Sequence, residues 1–165
     1  MRKLIKDGAV VADPWQLIDN EEATLDDLPA GKIIVPLPLW LAEATHLRAR
    51  LPDLGVWLNG HDDVAQLSES TAELPLIAIN FPLFTDGRGF SAGRLLRERY
   101  DFAGELRAVG NFLRDQLCYL RRCGFSAFSL PEKYDPDAAL ASLNDFTEYY
   151  QPSVDQPVPL FRRRA

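Results

Sequence analysis

Residues 81–128 read FPLFTDGRGFSAGRLLRERYDFAGELRAVGNFLRDQLCYLRRCGFSAF. The stretch combines a glycine-rich turn, two amphipathic helical patterns and two short apolar strands. Ser91 stands where it would cap a helix over Ala92 to Tyr100, its hydroxyl taking an orphan backbone N–H. Glu105 to Gly110 reads as a strand. Asn111 would cap a helix over Phe112 to Arg122, and Gly124 ends that helix. Phe125 to Leu130 reads as the next strand. Strand, helix, strand at this spacing is the minimal unit of a parallel sheet.

The same unit recurs on both sides. Upstream, Leu74 to Phe81 is apolar apart from Asn80, as in a strand covered on both faces. Leu54 to Leu58 is another strand, and Asp62 or Asp63 would cap a helix running to about Ser70. Lys32 to Leu37 is a β-branched strand, followed by a helix over Leu39 to Leu51. Downstream, Pro136 to Phe146 is a last helix. The expectation is an α/β domain of about five β/α units on a parallel sheet, flavodoxin-like or a partial TIM-type barrel. Glu105 and Arg107 share one face of their strand. A doubly covered flat sheet seldom buries such a pair, so they favour curvature or an interface.

Asp7-Gly8, between Leu4-Ile5 and Val10-Val11, accepts the positive φ angles of a tight turn, so residues 3–12 read as an N-terminal β-hairpin. Asp13-Pro14-Trp15 leaves it, and acidic residues 19–27 read as a loop. Residues 1–150 are expected to form one domain. Residues 151–165 hold prolines 152, 157 and 159 and end in arginines. They read as a solvated tail, with Leu160 and Phe161 as anchors if the tail docks on a partner.

The net charge is -6. It argues against nucleic-acid or anionic-membrane partners, which want basic surface. Between Asp86 and Arg122, eight arginines meet five acids, a net +3 that leaves -9 on the rest of the chain. No apolar run approaches the ~18 residues of a membrane span, and the charged start lacks a signal-peptide pattern. A cytoplasmic location is expected.

In parallel α/β folds, ligands meet the carboxyl ends of the strands. Here those ends are residues 36–38, Asn59 to His61, Asn80 to Arg88, Gly110-Asn111 and Ser129 to Glu132. The third is the most unusual. Asp86, Gly87, Arg88 and Gly89 stand ahead of a helix start, with Ser91 and Arg94 following. Glycines allow close approach of backbone, and two arginines beside a helix N-terminus suit a small oxyanion. Arg107 and Asn111 complete the candidate ligand-binding set. The competing reading is an Asp86–Arg88 ion pair that only fixes the loop. Gly87 to Ala92 also matches a relaxed dinucleotide pattern, but Pro82 to Asp86 separate it from its strand and no ribose-binding acid follows. No metal site is expected. His46 reads as solvated, with no acid or cysteine nearby, and His61 as part of a helix-start loop with Asp62 and Asp63. Cys118 and Cys123, five apart on a helix, read as reduced core thiols.

At FPLFTDGRGFSAGRLLRER and GELRAVGNFLRDQLCYLRRCGFSAF, and at Lys6-Asp7-Gly8 and Asp13-Pro14-Trp15, the chain resembles the DUF934 family of bacterial proteins. Members are described as oxidoreductases associated with sulfite reduction. The resemblance therefore implies an accessory role in assimilatory sulfite or sulfate reduction, with sulfite reductase as partner or a sulfur oxyanion as ligand. The family pattern commonly carries aspartate where this chain has Asn111: a catalytic aspartate there would leave this chain impaired, whereas as a helix cap asparagine serves equally. No flavin, haem, iron–sulfur or dithiol motif is visible, so the cofactor is left open. Two alternatives stand beside this: a small oxidoreductase borrowing a nicotinamide or flavin at the same loop, and a non-catalytic module that dimerises around Glu105 and Arg107.

Overall fold

Asp7 and Gly8 take φ angles of 49° and 78°. That pair of positive angles matches the twist of two antiparallel strands, so β1 (Lys3–Lys6) folds onto β2 (Ala9–Ala12). The hairpin is not an appendage. In the computed structural model, which describes residues 3–163, Ile5 of β1 pairs with Phe128, and the hairpin joins the main sheet.

That sheet has eight strands in the order β2-β1-β8-β7-β6-β5-β4-β3. The parallel strands are β3 (Gln16–Leu17), β4 (Ile33–Pro36), β5 (Leu54–Asn59), β6 (Leu76–Phe81), β7 (Glu105–Gly110) and β8 (Ala127–Phe128). The sheet is thus mixed and has eight strands, where five parallel units were expected. Each parallel strand lies beside its predecessor, so every crossover steps the same way. Right-handed crossovers then put all the connections on one face. A flavodoxin-like sheet needs a reversal of strand order, and none occurs.

Curvature follows from chain length. β2 ends at Ala12 and β3 begins at Gln16, yet these are the outermost strands. Across a flat eight-stranded sheet the edges would stand roughly 34 Å apart, at ~4.8 Å per strand. The Cα steps from Ala12 to Gln16 reach at most about 15 Å. The sheet must curl, and it forms a half-barrel with residues 13–15 strapped across its open side.

Alternation divides the side chains. Ile33, Val35, Val56, Leu58, Ile77, Ile79, Phe81, Leu106 and Ala108 face outward into the main core. There they meet α1 (Leu37–Leu47), α2 (Arg88–Glu98) and α3 (Leu117–Arg122) through Trp40, Leu47, Ala92, Leu96, Leu117 and Leu120. Ile34, Trp57, Leu76, Ala78 and Val109 face inward, covered by Trp15 of the strap and Leu17 of β3. The Trp57 indole N–H donates to the Ile18 carbonyl at 2.7 Å, which fixes the end of β3 to the wall.

Three expectations about boundaries fail for local reasons. α2 begins at Arg88, so Ser91 lies inside it, exposed, and caps nothing. The helix expected over Phe112 to Arg122 starts only at Leu117, after a 3-10 turn over Arg114–Gln116. Asn111 therefore does not cap it; Phe112 is fully buried in the core instead. The helix expected from Asp63 is only the 3-10 turn Val64–Leu67, with the Asp63 carboxylate accepting from the Ala65 N–H.

The C-terminal segment is fastened rather than solvated. The Arg122 carbonyl accepts from Ser153 Oγ at 2.7 Å and from the Val154 N–H at 3.1 Å. The Arg122 guanidinium lies 3.9 Å over the Tyr149 ring and donates to the Gln151 carbonyl. Gly124, at φ 98°, leaves the space that Arg97 and Val154 fill. A short helix, α4 (Leu160–Arg163), follows, with Phe161 exposed. Arg164 and Ala165 lie outside the described residues.

Candidate functional site

The loop after β6 brings together most of the residues picked out from sequence, on the outer side of the sheet. Gly89 packs where a Cβ would stand 2.6 Å from the Phe81 ring, and Gly60 abuts the backbone of Gly89. Their small size draws the start of α2 onto the sheet. Arg88 turns back on Asp86, with Nε donating to one carboxylate oxygen at 2.9 Å and Nη2 to the other at 2.7 Å. Arg94 donates to Glu98 at 2.9 Å, one turn along α2. Both arginines thus already hold a carboxylate. Asn111 Nδ2 donates to the Pro82 carbonyl at 3.1 Å, a bond an aspartate could not supply. Gln116 Nε2 donates to the Phe84 carbonyl at 3.0 Å. The loop is pinned at three places, while Leu83 and Phe84 at its tip stay 63% and 50% exposed.

The side-chain and backbone hydrogen bonds from Arg88 hold the Asp86 carboxyl down to about 2, against an ordinary 3.8. A carboxylate depressed on folding adds stability above its unfolded value and loses it as pH falls through the folded one. The clamp is therefore complete above about pH 4 and opens toward pH 2. Carboxyl NMR titration should show the Asp86 midpoint rising toward ordinary values in Arg88→Gln. An unchanged midpoint would mean that Arg88 does not hold the loop.

Arg107 is not part of that loop. Its register partner on β6 is Ala78, and both point into the half-barrel. Its Nη1 reaches both oxygens of Asp13 at 3.0 Å, and its Nε reaches Glu105 at 2.7 Å. Lys6 closes the row on Glu105 at 2.7 Å. The Arg107 and Asp13 side chains are only 2% and 4% exposed. The pair that suggested an interface finds its partners within one chain, and Asp13 ties the strap to the sheet.

Above this row, at the carboxyl ends of the strands, lies a cavity of about 250 Å³ inside the half-barrel. Asp13, Trp15, Asp19, Asn80, Arg107 and Ser129 line it. Asn59 and Asn80 are register partners on β5 and β6. Asn59 Nδ2 donates to Glu21 at 2.8 Å, and Asn80 Nδ2 donates to Asn59 Oδ1 at 2.9 Å. Asp13 and Trp15 carry part of the family resemblance, but they and Asp19 were missed as site residues because no local pattern places them in a cavity. Asn59, Asn80 and Ser129 had a signal: each is a polar residue on a strand end, on the inward-facing alternation.

The other titratable groups have structural explanations. His46 is exposed and bonds Glu43 at 2.8 Å, a carboxylate one turn back that the sequence reading overlooked. His61 stands 3.7 Å from Asp62, whose carboxylate also accepts from the Asn59 N–H. Cys118 and Cys123 are buried and free, and burial pushes the Cys123 thiol up. Burial and the neighbouring Cys118 push the Tyr149 hydroxyl up to about 12. Among the described residues, no group of three His, Cys, Asp or Glu side chains is placed to hold a metal, and no helix is long and apolar enough to cross a membrane.

A family model described as "Bacterial protein of unknown function (DUF934)" matches residues 55–161. The match spans the pinned loop, Arg107 and Ser129, and leaves the hairpin and strap outside it. No curated protein and no solved structure matches the chain.

Proposed function

We propose that this chain, which belongs to the DUF934 family, is an accessory protein of assimilatory sulfite reduction that docks on its reductase through the loop after β6. One observation carries the reading: the loop is pinned by Arg88, Asn111 and Gln116, yet it presents Leu83 and Phe84 to solvent. Exposed apolar side chains on a rigid loop are suited to act as interface anchors. Because the loop is already ordered, little conformational freedom is lost on association. The arginines that suggested an oxyanion site are each occupied by a carboxylate, which favours a protein partner over a free anion at this loop. The link to sulfite reduction rests on the family resemblance.

The test is analytical size exclusion of the chain with the sulfite reductase of the same bacterium. The wild type should co-elute. Leu83→Ser with Phe84→Ser should elute separately, while keeping its melting temperature, because exposed substitutions usually stay within about 0.5 kcal/mol. Separate elution of the wild type, or co-elution of the double variant, would overturn the reading.

A further inference from the structure

The cavity inside the half-barrel has a polarity that its hydrogen bonds dictate. Glu21 is a carboxylate and can only accept, so Asn59 must present Nδ2 to it. Asn59 then shows Oδ1 to Asn80, and Asn80 must answer with its own Nδ2. The amide chain leaves Asn80 Oδ1 without a donor, as an acceptor beside Gly110. Ser129 is 4% exposed and lines the same cavity, and its hydroxyl has no partner among the described residues. Its oxygen is open to the cavity rather than sealed in the protein, so what fills the cavity completes it. Asp19 also lines the cavity, again with no bonded partner among the described residues.

Charge selects what could enter. Lys6 and Arg107 are matched by Glu105 and Asp13. Asp19 is then the unbalanced charge among the lining residues, and it is negative. Asn80 Oδ1 and the Asp19 carboxylate are acceptors, the Ser129 hydroxyl can accept or donate, and the excess charge is negative, on a wall that includes the Trp15 ring and the apolar Leu17, Ile34 and Val109. We infer that this cavity is a binding site for a small organic cation bearing N–H groups, held by Asp19, Asn80 and Ser129. Its volume lies just below the ~300–1,000 Å³ of common small-molecule sites, which limits the ligand to a compact one. The position, at the carboxyl ends of parallel strands within a curled sheet, is where such folds bind ligands. The site lies on the opposite side of the sheet from the pinned loop, so it stands or falls independently of the docking reading.

The experiment uses the full chain with agmatine, benzylamine and benzamidine as probes, and sulfite and sulfate as anion controls at matched ionic strength. Trp15 and Trp57 lie on the inner face, whereas Trp40 lies in the outer core, so fluorescence reports the inner site. Amide NMR shifts at Gly110 and Ser129 locate the binding. At least one cation should give a saturable shift at those amides. Asp19→Asn removes an exposed charge without touching the core and should weaken binding roughly tenfold, as expected for a contact worth 1.4 kcal/mol. Ser129→Ala should weaken it also, and neither anion should shift the same amides. The inference is overturned if no cation shifts them, if Asp19→Asn binds as tightly as the wild type, or if sulfate shifts them as the cations do.

Discussion

Replacing Arg107 with methionine is expected to cost about 3–5 kcal/mol of stability, among the largest effects of any single change in this chain. The guanidinium lies between two carboxylates that are nearly sealed from water, Asp13 at 4% and Glu105 at 8% side-chain exposure. Removing it leaves Asp13 as a buried charge with no counter-ion, whereas Glu105 keeps Lys6. For a domain of this size each kcal/mol moves the melting temperature by roughly 2–4 °C, so a fall near 10 °C is expected. The cause can be separated from simple loss of packing. Adding Asp13→Asn to Arg107→Met removes the stranded charge and should recover a good part of the loss, a coupling that a thermodynamic cycle reads directly. If Arg107→Met costs less than about 1 kcal/mol, or Asp13→Asn brings no recovery, the row does not hold the strap as described.

The second large effect is expected at the end of β7. Gly110 sits at φ 93°, where a side chain is rarely tolerated. A Cβ there would stand 2.4 Å from Asn80 Oδ1 and 2.6 Å from the Phe81 carbonyl oxygen. The second of these is backbone and cannot step aside without moving β6. The unfavourable φ contributes about 1–2 kcal/mol. Overpacking adds about 1–3 kcal/mol. Gly110→Ala should therefore destabilise by about 3–4 kcal/mol in denaturant melts. Alanine at Gly87 is the matched control: it would meet nothing within 4 Å, and its φ is -79°. Equal stability of the two variants would contradict this account of the turn.

Much of the sheet is legible in the sequence because of how it is covered. Val35, Val56 and Ile77 are buried among other apolar residues, so their strands read as continuous apolar runs. Glu105–Gly110 was located to the residue, since Gly104 and Gly110 bound a run with charged and apolar alternation. Asp7-Gly8 announces the hairpin through its chemistry alone. What could not be read depends on distance along the chain. Asp13 and Arg107 are 94 residues apart, and only the closed sheet brings them together. β3 is two residues long and has no pattern of its own; it exists because the strap must land beside β4.

The site was legible in part. Asp86 to Arg94 do gather on one loop and helix start, and the ion-pair alternative for Asp86 and Arg88 is the geometry found there. Arg107 faces the other side of the sheet, which strand alternation allows but does not reveal without register. The C-terminal segment misled for a different reason. Its prolines suggest an unpacked chain, but Ser153 and Val154 bind the carbonyl that ends α3. Hydrogen bonding to a helix terminus leaves no trace in composition.

The docking claim is tested most directly by hydrogen exchange of this chain alone and with sulfite reductase. Protection confined to residues 82–90, lost in the Leu83→Ser and Phe84→Ser variant, is the result expected. A complex that protects other segments and leaves that loop exchanging freely would contradict it.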